Sequence, residues 1–209
     1  MNNIKNLSYI IIIVFILLFF IDEDDNKIDV LLVNKENGLE AHYKPNDLEE
    51  INTKYAYKGK YLRREAKTSF ERLAHDASLI GYNIIAVSAY RDYEYQNKLY
   101  NDYVANYGVD YANNCSAKPG YSEHQTGLAI DVMASGINNY GQFSGTKEYA
   151  WMVKNAYKYG FILRYLESEE NITGYSYESW HFRYVGVDVA TKIKNENLTY
   201  EEYYEYYVK

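Results

Sequence analysis

The sequence predicts a single α+β domain, a small antiparallel sheet flanked by helices, behind an N-terminal apolar segment. Three observations carry this. Helix-type and strand-type hydrophobic patterns follow one another in mixed order, with no regular strand-helix repeat. The 209 residues are 47% hydrophobic and 24% charged, which is the globular range. No internal repeat or linker divides the region after Asp25, and its roughly 180 residues match one typical domain. Residues 1–25 are therefore taken as a membrane-targeting segment and 26–209 as one domain.

Residues 9–21 (YIIIIVFILLFFI) are unbroken apolar sequence, followed at once by Asp22, Glu23, Asp24 and Asp25. The uncharged stretch 6–21 would be about 24 Å long as a helix, against a hydrocarbon core of about 30 Å. No small-residue cleavage site and no cysteine follow it, so an uncleaved signal anchor is expected ahead of a cleaved signal peptide. Lys5 lies on one side and four acids on the other, which puts the domain outside the cytoplasm, at the outer face of the membrane.

The elements follow in order. Residues 28–33 (IDVLLV) read as a short buried strand and 34–47 as a loop. From 61 to 80, Leu62, Ala66, Phe70, Leu73, Ala77 and Ile80 recur at helical spacing, and Gly81 ends the helix. Residues 84–89 (IIAVSA) are a β-branched strand, and 91–104 a second helix. Residues 106–121 read as loop, 127–133 (GLAIDVM) as a core strand, and 135–145 as loop. Thr146 is an N-cap for a helix that Gly160 ends, and 161–165 is a strand. Around 180–185, Trp180, Phe182 and Tyr184 alternate with His181, Arg183 and Val185, one face aromatic and the other polar. A short helix from Val187 and a capping-box helix, Thr199 with Glu202, close the chain.

Charge and composition exclude several functions. The net charge of -7 and pI near 5.2 argue against a nucleic-acid partner. The one cysteine, Cys115, excludes an intrachain disulfide scaffold and is given no catalytic role. The 27 tyrosines beside two prolines read as compositional drift, and no protein partner is predicted.

Chemistry points to a small set of residues. His124 precedes the 127–133 strand, which carries one charge, Asp131, and His181 sits between Trp180 and Phe182. Two imidazoles and a carboxylate without thiolates are the ligand set of a catalytic zinc site, although an isolated histidine is also often an ordinary core or surface group. Glu178, three residues before His181, suits a general base, provided the chain turns near Ser179, because residues three apart on a straight strand face opposite ways. Arg91 and Ser88 flank the end of the 84–89 strand, where an arginine fork suits a carboxylate or developing oxyanion. His42 and His75 read as ordinary surface groups, and Glu123 as loop charge.

Taken together, Ser88-Ala89-Tyr90-Arg91 with Gln96, then Ser122-x-His124-x-x-Gly127-x-Ala129-x-Asp131, then Glu178-x-Trp180-His181 resemble the VanY-type D-alanyl-D-alanine carboxypeptidases. These are zinc peptidases of the hedgehog/DD-peptidase fold. Residues 151–164 (WMVKNAYKYGFILR) and 180–186 (WHFRYVG) are also family-like, and the match runs from about residue 28 to 203. The resemblance implies one zinc ion on His124, Asp131 and His181, with the site at the sheet. It implies Glu178 as catalytic base, Arg91 as carboxylate or oxyanion partner, and Ser88, Gln96 and Ser122 as substrate contacts. The implied activity is removal of the C-terminal D-alanine from peptidoglycan stem peptides. An LD-carboxypeptidase acting on tetrapeptides is the alternative, and a non-catalytic, zinc-containing wall-binding module the rival of another class. Leu166 and Ser179 stand where relatives often carry proline, and loss of a stiff turn beside Glu178 is expected to lower the rate.

Overall fold

A computed structural model describes residues 30–209. The apolar segment read as a signal anchor lies outside the described residues, as do Ile28 and Asp29. Among the described residues no helix is long and apolar enough to cross a membrane.

The central sheet has four strands, β3 (Ile84–Ser88), β4 (Ala129–Ala134), β5 (Phe161–Leu163) and β6 (His181–Tyr184), all antiparallel in the order β3-β4-β6-β5. A separate two-stranded ribbon pairs β1 (Leu48–Glu50) with β2 (Tyr61–Arg63). One face of the sheet packs on helix α1 (Arg64–Leu79), whose Ala66, Phe70, Leu73 and Ala77 meet Ile130, Val132 and Phe182 in the main core. Alternation along each strand sends Asp131 and His181 to the opposite face. A second core forms around Ile162, Val185, Ala190, Ile193 and Tyr200, where helices α6 (Val187–Glu196) and α7 (Tyr200–Tyr207) pack. The α+β class and the antiparallel sheet agree with the sequence reading.

Three expectations need correction. The described part of the expected first strand, 30–33, is not paired. Val33 is buried, while Val30 and Leu32 pack on the second core, so the run buries its side chains without joining a sheet. Residues 61–63 are strand rather than helix, with the Arg63 N–H donating to the Gly127 carbonyl at 2.9 Å. The expected loop 106–121 follows α2 (Tyr93–Tyr107) and contains α3 (Val109–Cys115), which begins after Gly108. Its asparagines and single buried residue, Ala112, leave no apolar stripe to detect. Two further short helices are α4 (Lys147–Asn155), capped as expected by Thr146, and α5 (Glu170–Thr173), which no pattern announced.

Candidate active site

Strand pairing builds the site. Asp131 on β4 is the register partner of Ser88 on β3 and of His181 on β6, so three polar residues line one row across the sheet. His124 arrives from a 3-10 turn, Glu123–Thr126, at whose N-terminus the Ser122 hydroxyl accepts from the His124 N–H at 3.4 Å. Gly127 ends the turn in the left-handed region (φ 68°), where a Cβ would lie 2.8 Å from Leu48 Cδ2, so only glycine fits.

The three expected ligands converge. Their donor atoms all lie within 4.8 Å of one another, with Asp131 Oδ1 3.3 Å from His124 Nε2 and 3.1 Å from His181 Nδ1. The residues fit a zinc ion on a further observation. His124 Nδ1 lies 2.6 Å from the Ala89 carbonyl and must be the protonated nitrogen, while its buried Nε2 has no hydrogen-bond partner among the described residues. That lone pair faces the cluster, and orienting a metal-binding imidazole through its other nitrogen is common in zinc sites.

Electrostatics keep these groups poised. Burial, with help from Arg91, pushes the His124 imidazole down to about 4, so it stays neutral. Burial opposes ionisation of Asp131, but the two imidazoles outweigh it and hold the carboxyl well below its usual range. Burial would also lower His181, yet its hydrogen bonds to Asp131 and Glu123 raise it to about 9.

Glu178 lies beside this cluster. The chain turns at Ser179 and Trp180, as sharing a site with His181 requires, and the His181 N–H donates to the Glu178 carbonyl at 3.4 Å. Glu178 Oε2 is 3.7 Å from His181 Nδ1. Burial, only partly offset by His181, raises its carboxyl to about 7. Ser179, standing where proline was expected, is buried, and the turn persists without it, with the Glu178 N–H donating to the Tyr165 carbonyl at 3.2 Å.

The remaining expected residues surround a cleft of about 320 Å³ that opens on the cluster and is lined by Ser88, Arg91, Gln96 and Ser122 together with Tyr140 and Trp180. The Arg91 backbone N–H donates to the His124 carbonyl at 3.3 Å, and its buried Nε is unpartnered among the described residues. Gln96 Nε2 donates to the Ala117 carbonyl at 2.7 Å, which leaves its buried Oε1 without a partner. His42 and His75 are exposed and outside the site, as expected.

Glu123 corrects the sequence reading. It is not loop charge but 1% exposed, bonded to Arg164, Arg183 and His181. Burial alone would raise its carboxyl, but the two guanidinium groups hold it far below the usual range. Its place between a serine and a ligand histidine was the one signal available. The sequence reading also missed the aromatic wall, where the Trp180 and Tyr140 rings pack at a tilt with centroids 5.1 Å apart and those of His181 and Tyr165 at 4.9 Å. Among so many tyrosines no pattern set these apart.

A two-histidine, one-carboxylate cluster on a sheet, open to a cleft and flanked by a raised glutamate, is the donor arrangement that suits a mononuclear zinc site. The model of the VanY family, described as D-alanyl-D-alanine carboxypeptidase, matches residues 59–187, and the chain belongs to that family. A putative carboxypeptidase, YodJ, of Bacillus subtilis (strain 168) is 41% identical over 83% of this chain and 66% of its own length; the chain thus spans just under two thirds of that relative. The LdcB LD-carboxypeptidase superposes with a TM-score of 0.80 at 40% identity, over 87% of this chain and 88% of that one. The D,D-pentapeptidase VanY of a VanB-type vancomycin resistance cassette, solved with Zn(II), superposes with a TM-score of 0.72 at 36% identity, over 83% and 97%.

Proposed function

We propose that this chain is a zinc-dependent D-alanyl-D-alanine carboxypeptidase that removes the terminal D-alanine from peptidoglycan stem peptides. The observation that carries the reading is Glu178 Oε2 standing 3.7 Å from His181 Nδ1, a raised carboxyl at the edge of a three-ligand cluster. His124, Asp131 and His181 would hold the zinc, through the nitrogen and oxygen atoms that converge there. Bound there, zinc supplies Lewis-acid polarisation of the scissile carbonyl and makes the attacking water more acidic. Glu178 takes the proton from that water as its oxygen adds to the carbonyl carbon, and returns it to the amine nitrogen as the C–N bond breaks. Arg91 balances the negative charge that develops on oxygen or that the substrate carboxylate carries. Ser88, Gln96 and Ser122 contact the peptide, Gln96 through its unpartnered Oε1.

The LD reading, removal of D-alanine from a tetrapeptide, is favoured by one observation, the similarity to LdcB at 40% identity. A non-catalytic wall-binding module has no use for Glu178 and Arg91, both of which line the cleft. The domain, residues 26–209, acts outside the cytoplasm, held at the membrane by residues 1–25. Stem pentapeptide and tetrapeptide incubated separately with the protein, and read by mass spectrometry, test the specificity. Loss of one D-alanine from the pentapeptide is expected, loss from the tetrapeptide alone moves the assignment to the LD reading, and loss from neither supports the binding module.

A further inference from the structure

We propose that Glu123 is a positioning residue that decides which ring nitrogen His181 offers to the metal, and that Arg164 and Arg183 make that decision rigid. The inference rests on the zinc reading of His124, Asp131 and His181.

Glu123 Oε1 accepts from Arg164 Nε at 2.8 Å and from Arg183 Nη1 at 2.9 Å. Its other oxygen, Oε2, lies 3.2 Å from His181 Nε2. An ionised carboxylate only accepts, so Nε2 must keep its proton against Glu123, and Nδ1, which faces Asp131 and the His124 nitrogen, is the nitrogen that gives up its proton to a metal. The arginines are locked in turn. Arg164 reaches Glu201 on α7 through Nη1 (2.8 Å) and Nη2 (2.6 Å). Arg183 donates from Nη2 to the Leu31 carbonyl and from Nε to the Tyr184 carbonyl. Both arginine side chains are fully buried. Two arginines and two glutamates cancel in charge, so Glu123 supplies a fixed acceptor without loading the site with net charge. The C-terminal helix and the segment at Leu31 thereby belong to the support of a metal ligand.

Glutamine at position 123 has the same shape but cannot satisfy both sides. With its oxygen toward the arginines, its amide N–H faces the His181 Nε2–H. Turned over, the amide N–H faces two guanidinium donors. Either arrangement leaves donors opposed in a buried site, and relief comes from His181 losing its Nε2 proton and keeping the one on Nδ1, where it blocks the metal.

The test compares zinc affinity, by chelator competition, and the melting temperature of the metal-free protein in wild type, Glu123→Gln and Glu201→Gln. Glu123→Gln is expected to bind zinc about 10- to 100-fold more weakly, the usual scale for partners of metal ligands. Glu201→Gln removes the charge that holds Arg164 without touching His181, and is expected to lower the melting temperature with a loss of zinc affinity clearly smaller than that of Glu123→Gln. Wild-type zinc affinity in Glu123→Gln, or equal loss in both variants, overturns the proposal. Should Glu123→Gln fail to fold, nitrogen-15 NMR of the imidazoles in zinc-loaded wild type decides. A proton on Nε2 of His181 supports the assignment and a proton on Nδ1 overturns it. Wild type that binds no zinc at all overturns the metal reading, and this inference with it.

Discussion

Asp131 and His181 stand directly opposite each other across β4 and β6, with Oδ1 of one 3.1 Å from Nδ1 of the other. Two metal-binding groups are thus brought together by backbone register, and a one-residue slip of either strand would send one of them into the core beneath. His124 is fixed differently, by a 3-10 turn and the carbonyl of Ala89. The proposed chemistry therefore rests on rigid elements rather than on long loops.

Replacing Glu178 by glutamine removes the base and leaves the three ligands untouched. Turnover is expected to fall by about two to four decades, the scale of general acid-base groups, with zinc stoichiometry preserved. Steady-state kinetics with metal analysis on the same sample check this, and near wild-type turnover would assign the proton transfer elsewhere.

The raised Glu178 carboxyl, at about 7, gives a stability effect of defined sign. A carboxyl raised above its unfolded value favours the folded state most at low pH, and that contribution is lost as pH rises through about 7. In the metal-free protein, Glu178→Gln is therefore expected to raise the melting temperature relative to wild type above pH 7 and to make little difference near pH 4. Thermal melts across that range show whether the sign holds.

His181 is held protonated up to about pH 9 in the metal-free protein, so zinc must displace that proton on binding. Between pH 6 and pH 8 zinc affinity is expected to rise with pH, with about one proton released per ion. Calorimetry in buffers of different ionisation enthalpy counts the protons directly. Binding without proton release would place the metal on other atoms.

Arg91 presents a buried Nε with no partner among the described residues beside the cluster. Substitution by lysine keeps the charge but loses the planar fork. Arg91→Lys is expected to lower kcat/KM by about 100- to 1000-fold, as for removal of an oxyanion donor. A purely structural Arg91 would show instead as a lower melting temperature with intact kcat/KM.

Gly127 holds the turn that delivers His124. Alanine there meets both the left-handed backbone and the side chain of Leu48, and is expected to cost about 1–3 kcal/mol of stability and to weaken zinc binding by shifting His124. Denaturant unfolding and chelator competition report the two effects separately.

The sequence made most of this site legible because its residues fall in short motifs. The ligands, base and arginine lie within or beside strands whose hydrophobic runs mark them, and the register does the rest. Glu123 escaped because its partners Arg164 and Arg183 lie 41 and 60 residues away, and an acid in a loop looks solvated until its partners are known. The segment 30–33 misled for the opposite reason, since an apolar run signals burial without saying whether the backbone pairs. Helix α3 gave no signal because it buries only Ala112.

In the proposed mechanism, one zinc ion on His124, Asp131 and His181 is required for hydrolysis. The direct measurement removes metal with a chelator, titrates zinc back, and follows D-alanine release from stem pentapeptide. Release that returns linearly and saturates at one zinc per chain is the predicted result. Full release by the metal-free protein, or zinc bound at one per chain with no release from either pentapeptide or tetrapeptide, would contradict it.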